Sequence, residues 1–453
     1  MSTTERQRDQ GGEQWGERLR DLAEEAPGAL PEPALWDRGR RYARLRRRGT
    51  AVVAALGVLA VVAVGAVSWQ RAAPPAELAP ASAPAAMPDE LFVPSPWLPG
   101  TEEAGPLGQL AAIIPADRGG WTGAEMEIAG VSATTREYRF LDLPDLYAPP
   151  GAVLSPDGRH VAYWATGEPS GTPNDSDAPV TAVGLYDAAS GEVERYDIET
   201  EHGLAVEDLV WTDPSTLLVS YGQWQGGEDD TDMDVSMSRT APWEVLRVGD
   251  ELRELGSPLD HGHVWGGGDG VVVMSGSGRN AGRWLLDPTR PRQPQRLRTD
   301  RGSFVPPRVS PDRTRIAGVP GHRAPNRLAV ADLSGDTRAE YVTVPGDKRT
   351  FEVLDWSDDD HVVVLRHGRD DVGEFHVTVM ETDVETGEQR ELVDVPAALT
   401  NQPRFALDLL GGPIVEAVEP PDPMDPRAVV GLSGGAVAAA GAGIFLWRRR
   451  VQP

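Results

Sequence analysis

The chain has 453 residues, no cysteine and a formal net charge of −27 at neutral pH. Its length exceeds one ordinary core and suits one large repeat domain with tails, while the lack of cysteine excludes disulfides, thiolate metal sites and a thiol nucleophile. Residues 1–48 carry eleven arginines against nine acids and the tail adds Arg448, Arg449 and Arg450, so the stretch between them holds −32. Such an acidic stretch repels phosphate backbones, and no nucleic-acid partner is expected. Lys348 is the only lysine against 42 arginines, a bias expected of a GC-rich bacterial genome.

Residues 1–48 are too few for a core of their own. Trp15, Leu19 and Leu22 fall on one face of a helical pattern, which would suit a cytoplasmic docking partner. Seven arginines between Arg38 and Arg48 then precede 49–70, a run of 22 uncharged residues. As a helix that run is about 33 Å long, enough to cross a hydrocarbon core of about 30 Å. The positive-inside rule places the N-terminus in the cytoplasm and the chain beyond Trp69 outside. A cleaved signal peptide fits less well, because its small-residue site, Ala81-Ser82-Ala83, lies too far downstream.

Residues 71–106 hold nine prolines and read as an extended linker. From 107 to 420 the chain repeats. Units open at Leu154 (LSPDGRHVAYW), Val210, Val264, Val309 (VSPDRTRIAGVPG) and Asp355 (DWSDDDHVVVLRHG), at spacings of 45 to 56 residues. In each, a polar turn precedes a short apolar run that reads as a buried strand, and hairpin signals follow around Gly191, Gly335 and Gly387. Four short strands per period of this length is the arithmetic of a β-propeller blade.

The blade turns resemble those of WD40-like propellers of the TolB type. Ser155-Pro156-Asp157-Gly158 matches fully, Ser310-Pro311-Asp312 lacks the glycine, and Trp356-Ser357-Asp358 matches loosely. The resemblance implies an all-β propeller and leaves its role open, since such propellers serve many functions. Weaker units near Leu107 and Pro403 give seven blades if counted separately and six if they merge into one closing blade.

A second apolar stretch, 428–447, is followed at once by three arginines and reads as another span, leaving 448–453 as a cytoplasmic tail. The expected architecture is a propeller flanked by two transmembrane helices, outside the cytoplasm, with both termini inside. Gly431, Gly435, Ala439 and Gly443 give the second span a small-residue face.

Chemistry-bearing motifs are few. Gly431-Leu432-Ser433-Gly434-Gly435 mimics a nucleophile elbow, but it lies in the expected span and no histidine follows His376. Asp230, Asp232 and Asp234 open like a calcium loop, which then fails at Val235 and Ala241. His261 and His263 could share a strand face as a metal pair, yet no third ligand stands at a telling spacing. No cofactor and no catalytic residue is assigned. Loops 166–179 and 222–240 both follow the strand after a blade turn and should project from one face. Trp224, Asp229, Asp230 and Asp232 are the expected contact residues there. The expected role is a binding or scaffolding module for an envelope or extracellular ligand. The alternatives are a transmembrane signalling protein and a propeller glycan hydrolase, the last weakened by the absence of a sialidase Asp-box.

Overall fold

The blade turns explain themselves chemically. Fully buried Ser155 donates from Oγ to Asp157 Oδ1 at 2.7 Å and accepts the Arg159 and His160 amides at 3.1 and 2.9 Å. One hydroxyl thus closes the turn and accepts two amides, that of Arg159 being shared with Asp157 Oδ1 at 3.1 Å. Ser310 repeats the pattern with Asp312 Oδ1 at 2.6 Å and the Arg315 amide at 2.9 Å. In the third turn the roles shift. Ser357 donates to Glu381 Oε1 at 2.8 Å, while Asp358 accepts the Asp360 and His361 amides. Gly158 has φ +74°, and a Cβ there would collide with the Leu110 carbonyl. Arg313 takes the same left-handed conformation in its own turn, at φ +60°.

The computed structural model describes residues 84–428 except the short segments 174–177, 225–236, 241, 260–261, 277–279, 298–303, 321–326, 334–340, 347–349, 370–374 and 400–402. Among the described residues six larger sheets occur, each built around four antiparallel strands, with one added hairpin strand in the third. Blade 1 joins Arg404–Phe405 to Leu110–Gly119, Ala124–Ser132 and Tyr138–Phe140. Blade 2 runs Val153–Leu154, His160–Thr166, Val180–Asp187 and Val193–Asp197. Blade 3 uses Leu204–Asp213, Thr216–Trp224, Glu244–Arg247 and Arg253–Glu254, with Met237–Thr240 extending its hairpin. Blades 4, 5 and 6 open on His263–Gly268, Phe304–Val309 and Thr350–Trp356. First strands of successive blades approach one another, so they are the inner strands around the axis.

The blade count is therefore six: the weak units near Leu107 and Pro403 merge, because the innermost strand of blade 1 comes from the end of the repeat region. Six buried apolar clusters lie between successive blades. One of them joins blade 6 to blade 1 through Val363, Val379 and Val393 on one side and Ile114, Ala129 and Phe140 on the other. That contact closes the ring.

Residues 84–106, expected as linker, are instead part of the domain. Met87, Leu91 and Leu98 are buried in the seam between blades 6 and 1. Ala86 donates its amide to Ala133 of blade 1, while Leu91 and Asp89 bond the backbone of Asp394 in blade 6. Met87–Pro88 also pairs in parallel with Ile414–Val415. Farther along, Asp89 accepts the Ala417 amide and Ser95 donates to Asp422 Oδ1 at 2.7 Å. Prolines had signalled extended backbone correctly, but here extended backbone packs as a clasp over the seam. No helix among the described residues is long and apolar enough to cross a membrane. The stretches 1–48 and 49–70, and 428–447 beyond Ala428, lie outside the described residues.

Candidate functional site

The loops of blades 2 and 3 both join second to third strands, so they leave the ring on the same face. The blade 2 loop and the last residues of the blade 3 second strand both bond to the connector 198–203 between the two blades. The Ser170 and Gly171 amides bond the carbonyls of Thr200 and Glu201 at 3.0 and 2.8 Å. His202 Nδ1 lies 2.5 Å from the Thr172 carbonyl. From blade 3, the Trp224 amide reaches the Gly203 carbonyl at 3.1 Å, and Gln223 Nε2 the Glu199 carbonyl at 3.1 Å. The Trp224 indole stands beside Gly203, which also touches Pro179 at the end of the first loop. Trp224 thus differs from expectation: it ends a strand and is half-buried, a wall of the shelf at this connector. Asp229, Asp230, Asp232 and Asp234 lie outside the described residues.

His261 also lies outside the described residues, and His263 is exposed at the start of the blade 4 inner strand. On the neighbouring inner strand burial raises the pKa of Asp208, with Glu207 adding to the rise and His263 opposing it. Among the described residues no three His, Asp or Glu side chains are grouped to hold a metal.

Sequence reasoning missed the other end of the axis. Asp355 sits on the blade 6 inner strand, and its Oδ1 is 3.3 Å from the position a Cβ would take on Gly268 of blade 4. Its carboxylate keeps a narrow opening to solvent but is otherwise walled in by protein. Burial pushes its pKa up to about 7, against the pull of Arg308 and the Trp356 amide and with the repulsion of Asp269 and Asp408. Asp408 and Asp269 are raised too, both first by burial. Asp157 and Asp269 add to Asp408; at Asp269, Arg313 opposes the rise and Asp359 adds to it. Groups from blades 1, 2, 4 and 6 can meet only at the axis, so this is an acidic axial mouth on the blade-turn side with Arg308 as its cation. A faint signal existed. Arg308 and Asp355 each stand two residues before a turn serine, Ser310 and Ser357, where blade 2 has apolar Val153.

No protein-family model matches the chain, and no curated protein does either. Among solved structures, it is similar to a putative TolB from Agrobacterium tumefaciens at 14% identity and TM-score 0.34, covering 66% of this chain and 99% of that one. TolB from Acinetobacter baumannii gives 15% identity and TM-score 0.34, covering 66% of each chain. An oligogalacturonate lyase from Vibrio parahaemolyticus gives 13% and 0.37, covering 59% of this chain and 71% of that one. The sheet order makes the chain an all-β, six-bladed propeller, and TolB proteins are among its structural neighbours.

Proposed function

We propose that the chain is a binding or scaffolding module, anchored in a membrane through 49–70 and 428–447, with the propeller outside and both termini in the cytoplasm. One observation carries the binding role: the blade 2 loop and the residues that lead into the blade 3 loop, Gln223 and Trp224, are both hydrogen-bonded to the connector 198–203, with Trp224 and Pro179 beside Gly203. Recognition loops need such a rigid base. Shortening both loops between Glu168 and Pro179 and between Gln225 and Ser236 to Gly-Asn turns tests it. Melting should barely change, because loop-closure entropy alters by only about 1 kcal/mol. Crosslinked envelope partners of the intact protein should be lost, and Trp224→Ala should lose part of them. Recovery of the same partners by the loop-shortened chain would move the site elsewhere.

The axial mouth favours a second reading, a glycan hydrolase. Asp355 keeps much of its carboxyl protonated near neutrality, as a general acid requires. Its partner would be a second carboxylate roughly 5–9.5 Å away. In that case Asp355→Asn abolishes turnover of oligosaccharides and leaves loop-dependent capture intact.

A further inference from the structure

The second-to-third-strand hairpin of blade 1 stands on the same face as the two loops. Its strands, Leu110–Gly119 and Ala124–Ser132, are ten and nine residues long, but only the halves nearest the ring are buried. Gly119 pairs with Ala124, and the Gly120 amide closes the tip on the Gly123 carbonyl at 2.7 Å. The last three residues of the first strand and the first three of the second therefore project beyond the core, by about 10 Å at 3.3 Å per residue. At the tip stands Trp121, 70% exposed, with Met126 at 47%. An exposed indole at the end of a projecting hairpin, with a second apolar side chain on the adjoining strand, is placed to contact another surface.

The hairpin is held stiffly. Arg118 bonds Glu127 and Asp142, each at 2.8 Å. Trp97 lies flat against Gly119, its ring carbons 2.8 Å from where a Cβ would be, and the Gly119 amide donates to the Pro96 carbonyl at 2.7 Å. Two residues before Trp97, Ser95 is bonded to Asp422. A continuous set of contacts thus links the projecting end of the hairpin to the outgoing chain. From Asp422 to Ala428, where the second apolar stretch begins, only six steps remain, through Pro423 and Pro426. Residues 426–428 are already helical, so these six steps reach less than the ~20 Å of a fully extended chain. Val418 and Met424 on this outgoing segment are exposed as well, at 48% and 56%.

We propose that the Trp121 hairpin rests in the interfacial layer of the membrane that anchors the chain, as a third contact that fixes the propeller's orientation. This rests on the two-anchor reading. Tryptophan is suited to that layer, with an apolar ring and one polar N–H. Asp117 and Glu125 on the flanking strands limit insertion to the tip. The hairpin shares its face with the shelf at 198–203, so a ligand of that shelf is met at the membrane surface.

The cysteine-free chain makes the test direct. Trp121→Cys, Val342→Cys and Ser433→Cys are each made in the full chain, labelled with an environment-sensitive dye and reconstituted in phosphatidylcholine vesicles. Val342 is 67% exposed on the outer strand of blade 5 and serves as the solvent reference. The expected result is blue-shifted emission at 121, quenched by shallow nitroxide lipids, with 342 unquenched and 433 quenched by deep nitroxides. A quenched 433 with a solvent-like 121 overturns the hairpin proposal and leaves the anchors standing. An unquenched 433 removes the anchor and the proposal with it. A dye at 121 that is shielded in native membranes but not in pure lipid assigns the hairpin to a protein partner and overturns the lipid contact.

Discussion

At Asp355, burial and neighbouring charge act on one carboxyl and leave its pKa near 7. In the unfolded chain the same group titrates near 3.9. The folded state therefore holds its proton more tightly, and between those values the unfolded state binds fewer protons. Stability must fall as pH rises from about 4 to about 7 and stay level above, a loss on the order of 4 kcal/mol for this group alone. Asp355→Asn should flatten that slope in urea titrations across pH; an unchanged slope would mean that the carboxyl titrates normally. Asp312 has the opposite sign. Hydrogen bonds from the Ser310 hydroxyl and from Thr314 hold it down to about 2, so its contribution is lost only when pH falls below about 4. Ser155 tests the turn itself. Replacing it with alanine removes the His160 amide's acceptor, while the Arg159 amide keeps Asp157 Oδ1 at 3.1 Å, so the loss of stability read from urea denaturation should be about 1–3 kcal/mol.

Strand by strand, legibility followed how local the chemistry is. The Ser-Pro-Asp turns could be read because their bonds span five residues, and the apolar runs after them because burial on both faces needs continuous hydrophobicity. The closing strand Arg404–Phe405 showed only as a weak unit near Pro403 that left six and seven blades open, since two residues carry no period. The clasp was hidden by its prolines, although Met87, Leu91 and Leu98 among them were the apolar signal of packing. The axial mouth needs the ring to close before Asp157, Asp269, Asp355 and Asp408 meet, and no spacing in the sequence encodes that meeting. The shelf was half legible: the shared face of the loops followed from strand order, whereas the burial of Trp224 depended on Gly203 and Pro179 beside it. For the clasp the physical consequence is large. Met87 and Leu91 are fully buried, so replacing both with alanine should cost about 5 kcal/mol, from lost burial and the cavities left behind. Calorimetry of residues 84–425 with and without the pair measures it; a loss below about 1 kcal/mol would reduce the clasp to a surface strap.

Across the whole ring, stability is shared among six interfaces, each between neighbouring blades. No blade folds without a neighbour, because each side of its sheet is apolar and covered only by the next blade. A chain cut at Gly256, an exposed position between blades 3 and 4, separates these contributions. Cut after folding, the ring should stay one particle. The blade 3–4 core of Trp243, Leu255, Leu259 and Val272 remains buried, and the opposite seam is held by Phe405, by Met87–Pro88 against Ile414–Val415 and by Ser95 against Asp422. Made as separate chains, residues 84–256 and 257–425 should each aggregate. Each exposes two apolar blade faces, and blade 1 lacks its inner strand, which leaves an open edge. Mixed from denaturant at equal concentration, the halves should recover one monomer-sized particle, because the blade 1 edge and the parallel clasp are complementary only between them. Size-exclusion chromatography reads all three cases. Two soluble halves that fold alone would mean two independent domains, and the shared closure through blade 1 would then carry no stability.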